Sequence, residues 1–344
     1  MKKILFPALL AAVCLVMTAA FTEVAVRLVA DDGMQFDLEM WKYARDVKVV
    51  SPDPKIGHEH GPDRQAQLMG VDVKTNANGQ RDREIPYERT PGVLRIAMVG
   101  DSLTMGWGVA FDEMFSKRVE KMYNDAGTKA EVVNLGVGNW NTVQEVQYFL
   151  AKGVKYKPDI VVLNYFVNDA EPNPVKREEP SWVLRYCYSC VFFKGRLDTL
   201  LRQFSTRQNW ADYYLGLYDG GKSETWLAAK AAMKELADYC KQHNIKLLIA
   251  HLPELHDVQN YRFGLVTELV RQTANENEVP FVDLLPNMQY HASEDLWVTP
   301  PDPHPNGFAN GLIATGLYNA LQKLGTPTAQ ASQKRAALGQ AAGR

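Results

Sequence analysis

The sequence predicts an α/β fold in which helices cover both faces of a parallel sheet. Three observations carry that expectation. From Val93 onward, short β-rich runs alternate with amphipathic stretches, the rhythm that crossover helices on a parallel sheet produce. The apolar run 93–99 ends at Gly100-Asp101, so a buried strand there exits sharply into a loop. The chain has 344 residues with 46% in the hydrophobic class, enough for one large core with additions; a disordered or fibrous chain is excluded.

Strands are expected at 93–99, 131–135, 159–165, 246–251 and 281–284, and helices at 113–126, 143–152, 224–243, 258–277 and 307–324. In 224–243, Leu227, Ala231, Ala232, Leu236 and Cys240 recur at helical spacing. That stripe is a packing face. The alternating part, 93–324, is the expected main domain.

Four segments stand apart from it. Lys2 and Lys3 precede an uncharged apolar stretch, 4–22, which directs export and membrane contact with the amino end inside. Residues 1–22 read as a retained signal anchor, with the alternative of a signal peptide cleaved near Thr18 and Ala20. The domain 93–324 is then extracytoplasmic, anchored at an inner membrane and periplasmic, or secreted if cleavage occurs. Residues 23–92, rich in Pro and Gly with an Asn78-Gly79 turn signal, read as an irregular, strand-poor extension. Residues 170–222 form an aromatic-rich insertion whose rings suit a platform for sugars, a wall for acyl chains, a self-burying cap or bilayer contact. Residues 325–344 lack bulky apolar side chains and read as a loose tail. A net charge of −2 with mixed signs excludes the basic face a nucleic-acid binder needs. Cys187 and Cys190 either pair in an oxidising compartment or serve as small apolar residues among aromatics, the second reading being preferred.

Ser102 follows the first strand, where loops beyond a parallel sheet form a crevice. A serine becomes a nucleophile only with a base and donors for the developing oxyanion. "NLGVGNWNT" at 134–142, "VND" at 167–169 and "DPHPN" at 302–306 lie after predicted strands or before the last helix, where the same crevice gathers them. Thr104 stands where a Gly-x-Ser-x-Gly elbow has its second glycine, which argues against the common α/β-hydrolase arrangement.

With "GDSL" at 100–103, these blocks resemble the SGNH (GDSL-type) hydrolase superfamily over about residues 93–324. The resemblance implies a flavodoxin-like, three-layer α/β/α sandwich with a central parallel sheet of about five strands. It also implies acyl transfer without metal or cofactor. Ser102 is then the nucleophile, His304 the base and Asp302 its orienting acid. The oxyanion hole combines the Ser102 N–H, an N–H at Gly138 or Asn139, and the Asn168 amide. Two departures stand out. Asn139 occupies a position where relatives often have glycine, and Pro301 sits three before His304 where they commonly place the acid. Asp295, or a dyad without an acid, therefore remains an alternative to Asp302.

Other readings compete at each position: Ser102 as a helix N-cap, Asn168 and Asp169 as loop-holding groups, and His304 as a surface histidine. His251 and His256 are rival bases. His58 and His60 flank Glu59, a pattern that suits a metal less well than a solvated or structural role. Function follows as a serine esterase or O-acyltransferase acting on a small acyl ester or a polysaccharide, acetylated surface carbohydrate foremost. A lipase-like esterase and a non-catalytic envelope-binding protein are the alternatives.

Overall fold

The structure, a computed structural model, describes residues 2–172, 182–205, 210–300 and 302–325. An apolar helix, α1 (Lys2–Val29), leads to α2 (Phe36–Asp46). Two small antiparallel pairs follow: β1 (Lys48–Val50) with β2 (His58–His60), and β3 (Gln65–Leu68) with β4 (Val71–Lys74). Next come β5 (Leu94–Val99), α3 (Ser102–Met105), α4 (Phe115–Asp125), β6 (Ala130–Asn134), α5 (Thr142–Ala151) and β7 (Ile160–Tyr165). The insertion carries α6 (Trp182–Tyr186), α7 (Tyr188–Ser205) and α8 (Trp210–Gly216). After it lie α9 (Glu224–Gln242), β8 (Lys246–His251), α10 (Gly264–Glu276), β9 (Phe281–Asp283), β10 (Trp297–Thr299), β11 (Asp302–Pro305) and α11 (Gly307–Leu324).

Five parallel strands form the central sheet in the order β6-β5-β7-β8-β9, the flavodoxin-like order. Successive strand residues point to opposite faces. Ala97, Val99, Val161, Leu163 and Ile249 pack with Val146, Phe149, Leu236 and Val266 of α5, α9 and α10. Ile96, Met98, Val132, Val162 and Leu248 pack with Phe115, Val119, Ile313 and Leu317 of α4 and α11. The result is the three-layer α/β/α sandwich. Chain direction across the sheet reverses beside β5, between β6 on one side and β7 on the other. That switch point opens a crevice at the strands' carboxyl ends.

Three sequence expectations need adjustment. The helix expected over 258–277 begins at Gly264, because Asp257 Oδ1 accepts from Asn260 N at 2.8 Å and this local bond competes with helix entry. The extension 23–92 is more regular than expected: α1 runs on to Val29, α2 follows, and two strand pairs form. The turn between β3 and β4 is made by Met69 and Gly70, both at positive φ. Cys187 and Cys190 form a disulfide, since Cys187 precedes α7 and Cys190 lies in its first turn, with Cα atoms 5.2 Å apart. The tail 325–344 lies outside the described residues beyond Gly325.

The extension is fastened to the sandwich by a buried guanidinium. Arg81 is 1% exposed and donates to the carbonyls of Met105, Gly106 and Val109, the last at 2.7 Å. Burial pushes its pKa down to about 10, so it stays charged at neutral pH and satisfies carbonyls that water does not reach. Removing one partner of a buried hydrogen bond costs ~1–3 kcal/mol for each group left unpaired. Arg81→Met is therefore expected to destabilise the chain by about 3 kcal/mol or more, measured by denaturant unfolding. A loss under about 1 kcal/mol would mean that the turn after α3 does not need this clamp.

Candidate active site

Ser102 begins α3 directly after β5, and capping falls to its neighbour: Asp101 Oδ1 accepts from Leu103 N at 2.9 Å. This frees the Ser102 hydroxyl from the capping role. The chain can turn so tightly because Gly136, after β6, lies against this turn; a Cβ there would be 2.2 Å from Met105 N. Ser102 Oγ lies 2.9 Å from His304 Nε2, and His304 Nδ1 lies 2.5 Å from Asp302 Oδ1. His304 and Asp302 sit on β11, which pairs with β10 through Thr299 and Asp302. Asn306 then caps α11 by accepting from Ala309 N.

Asp302 is fully buried. Burial alone would push its carboxyl up, but the His304 charge and hydrogen bonds, together with Trp107, outweigh it and hold it below the ordinary carboxylate range. Trp107 Nε1 donates to Asp302 Oδ2 at 2.8 Å. Burial pulls His304 down, yet Asp302, Asp101 and Glu254 together hold its pKa above the ordinary imidazole value. An imidazole so placed can take the hydroxyl proton while the carboxylate stabilises the cation that forms.

The second block departs from the expected donor set. Gly138 N donates to Tyr43 Oη at 2.8 Å, and that hydroxyl in turn reaches His60 Nε2 at 2.7 Å. Gly138 N–H is thus committed elsewhere. Asn139 adopts φ +65°, and its Oδ1 accepts from Lys48 Nζ at 2.7 Å. The peptide N–H groups of Ser102 and Asn139 have no acceptor among the described residues. Asn168, in the turn after β7, donates Nδ2 to Asp101 Oδ2 at 3.1 Å, which leaves its second amide hydrogen for a ligand.

Among the described residues, neither His251 nor His256 bonds to Ser102 Oγ. His251 is buried, pushed down to about 3 by that burial, and stacks on Tyr165. His256 pairs with Glu254 and stacks on Trp210. His58 Nε2 donates to the Gly138 carbonyl at 3.0 Å. Burial pushes His60 down to about 3, so its Nε2 accepts the Tyr43 proton as a neutral ring. No group of three or more metal-ligating side chains occurs among the described residues. Asp295 lies in a short turn where its carbonyl accepts from Asn306 Nδ2.

Sequence reasoning missed three residues. Trp107 holds Asp302, Phe36 stacks on His304 with centroids 6.4 Å apart, and Tyr43 occupies Gly138. Only Trp107, five residues beyond Ser102 in the first block, carried a signal in its position.

Behind the crevice lies a charge problem. Glu145 on α5 is fully buried, and neither carboxyl oxygen finds a partner among the described residues. Burial first, then Asp169 and Asp101, raise its pKa well above the ordinary value, and burial does the same to Asp169. A raised folded pKa contributes stability that is complete below the unfolded value, ~4.3 for Glu, and is lost as pH rises through the folded one. Glu145→Gln is therefore expected to raise the unfolding midpoint at pH 8 more than at pH 5, read by thermal unfolding at both. An equal shift at both pH values would rule out ionisation of Glu145 as the cause.

The GDSL-like lipase/acylhydrolase family model matches residues 98–310, more than half of the chain. Among solved structures, that of TesA is 13% identical with a TM-score of 0.45, over 67% of this chain and 99% of that one. A psychrotrophic esterase, EstA from Pseudoalteromonas sp., is 14% identical with a TM-score of 0.43, over 67% and 97%. An acetyl xylan esterase is 16% identical with a TM-score of 0.42, over 66% and 99%. No curated protein matches the chain. The family match spans both the Ser102 turn and the His304 hairpin, and the chain belongs to the GDSL-like lipase/acylhydrolase family, a family of esterases.

Proposed function

We propose that this chain is a serine esterase that cleaves or transfers small O-acyl groups through an acyl-enzyme on Ser102, with α1 as its membrane anchor. The observation that carries the reading is the continuous hydrogen-bond chain from Ser102 Oγ through His304 to Asp302, at 2.9 and 2.5 Å. In the first half-reaction the Ser102 oxygen attacks the ester carbonyl while His304 Nε2 takes its proton. The carbonyl oxygen becomes an oxyanion facing the Ser102 and Asn139 N–H groups and the Asn168 amide. Each such donor is worth ~2.7–4 kcal/mol in the transition state. Collapse breaks the ester C–O bond, and His304 returns the proton to the departing alcohol. Water, or another alcohol, then repeats the sequence on the acyl-enzyme, releasing acid or a transferred ester.

Ser102 is only 9% exposed, which favours a small acyl group such as acetyl. Tethering supports a location on the outer side of an inner membrane: α1 holds an apolar span, Phe6–Val29, of mean hydropathy 2.2, with Lys2 and Lys3 at its start. Acetylated surface carbohydrate is the proposed natural substrate class, because an anchored domain stays beside the envelope.

Hydrolysis of p-nitrophenyl acetate by the full chain is expected to fall by about 10³-fold or more in Ser102→Ala; a fully competent variant would sink the nucleophile assignment and favour a binding role. Because His304 is held above the ordinary value of ~6.5, kcat/KM should rise with pH through a midpoint above that value as the base loses its proton. In Asp302→Asn the carboxylate that favours the imidazolium is gone. The limb should move to lower pH, with a rate loss on the order of 10²–10⁴. A limb that stays in place would remove Asp302 from the proton relay.

A further inference from the structure

Two cavities meet where α1 joins the insertion, and neither belongs to the catalytic crevice. The first, about 550 Å³, is walled by Ala19 and Thr22 of α1 on one side and by Phe193 and the Cys187–Cys190 disulfide on the other. The second, about 570 Å³, shares Arg27 and Tyr186 with it. Its lining sets four arginines, Arg27, Arg45, Arg64 and Arg185, against two aspartates, Asp46 and Asp63. Arg27 is committed to Glu23 and the Tyr186 carbonyl, and Arg45 to Asp46. Arg64 and Arg185 are exposed, and neither guanidinium has an ion-pair partner among the described residues.

The cleft between the helices is held in shape. Glu23 accepts from Tyr188 N, Ser189 N and Ser189 Oγ at 3.0, 2.9 and 2.8 Å, fixing the start of α7 to α1. The depth follows from length. The uncharged stretch 4–22 has 19 residues and rises about 28 Å at ~1.5 Å per residue, close to the ~30 Å of a hydrocarbon core. Ala19 and Thr22 then lie at the edge of the hydrocarbon, and Arg27 lies about a turn further out, at headgroup level. Beside them Leu184, Tyr186 and Phe193 are each at least half exposed.

We infer that the paired cavities bind one anionic phospholipid, with an acyl chain in the apolar cleft and the phosphate on Arg64 and Arg185. Guanidinium groups without carboxylate partners match phosphate geometry, and a free phosphate would leave the apolar half unused. The inference rests on the anchoring role proposed for α1 and is independent of the esterase reading. It is tested on the full chain in neutral detergent by native mass spectrometry, titrating phosphatidylglycerol, phosphatidylcholine or inorganic phosphate. One phosphatidylglycerol should be retained with about tenfold preference over phosphatidylcholine. Arg64→Gln with Arg185→Gln should abolish that preference at an unchanged unfolding midpoint, and Phe193→Ser should weaken both lipids. Equal binding of the two lipids, no effect of the double variant, or displacement by millimolar inorganic phosphate would each overturn the assignment. Flotation with phosphatidylcholine vesicles separates the two layers. A chain that floats but shows no anionic preference sinks this inference alone, and one that does not float sinks the anchoring role as well.

Discussion

Asp302 has no exposed surface, and a carboxylate at that depth stays ionised only if every approach to it is a donor. Here the donors are the Trp107 indole, the His304 amide and the His304 ring. Because Trp107 follows Ser102 by five residues, this one buried charge ties the Ser102 turn to the His304 hairpin. The separation of Ser102 from His304 is therefore set by groups on both sides of the crevice. Phe36 and Trp107 enclose the His304 ring, which limits water around the pair and strengthens it.

The segment before the sandwich belongs to the same mechanical unit. Arg81 grips the carbonyls that end α3, Tyr43 takes the Gly138 N–H, and His58 takes its carbonyl. Trp140 Nε1 returns a bond to the His58 carbonyl at 2.8 Å. The second-block loop is thereby fixed from outside the sheet, and Asn139 is held at positive φ with its side chain on Lys48. Asn tolerates that backbone region better than most residues.

The five strands of the central sheet were legible within a residue or two, since a continuous apolar run is a strong local signal for a strand buried on both faces, whereas the short hairpin strands β1–β4, β10 and β11 were not. Ser102, Asn168 and His304 were singled out because they lie in blocks that resemble those of GDSL-type hydrolases, each where such a run ends or a helix begins. Choosing between Asp302 and Asp295 needed the β10–β11 pairing, a tertiary fact that spacing does not encode. Tyr43 and Arg81 were invisible for the same reason: each meets its partner in the sandwich, Gly138 or the carbonyls after α3, across more than twenty residues. The Cys187–Cys190 pairing depended on α7 starting between the two residues, which composition alone does not reveal.

Glu23 takes three donors from the first turn of α7, and Val26 and Ala30 of the same helix end pack with Leu38 and Tyr188. A stem joined to its head in this way gives up the swivelling that a flexible linker would allow. On the anchoring reading, the crevice then rides at a fixed height and tilt above the lipid, and its search for ester is a drift in two dimensions. Reach, rather than affinity, would set which acyl groups it ever meets.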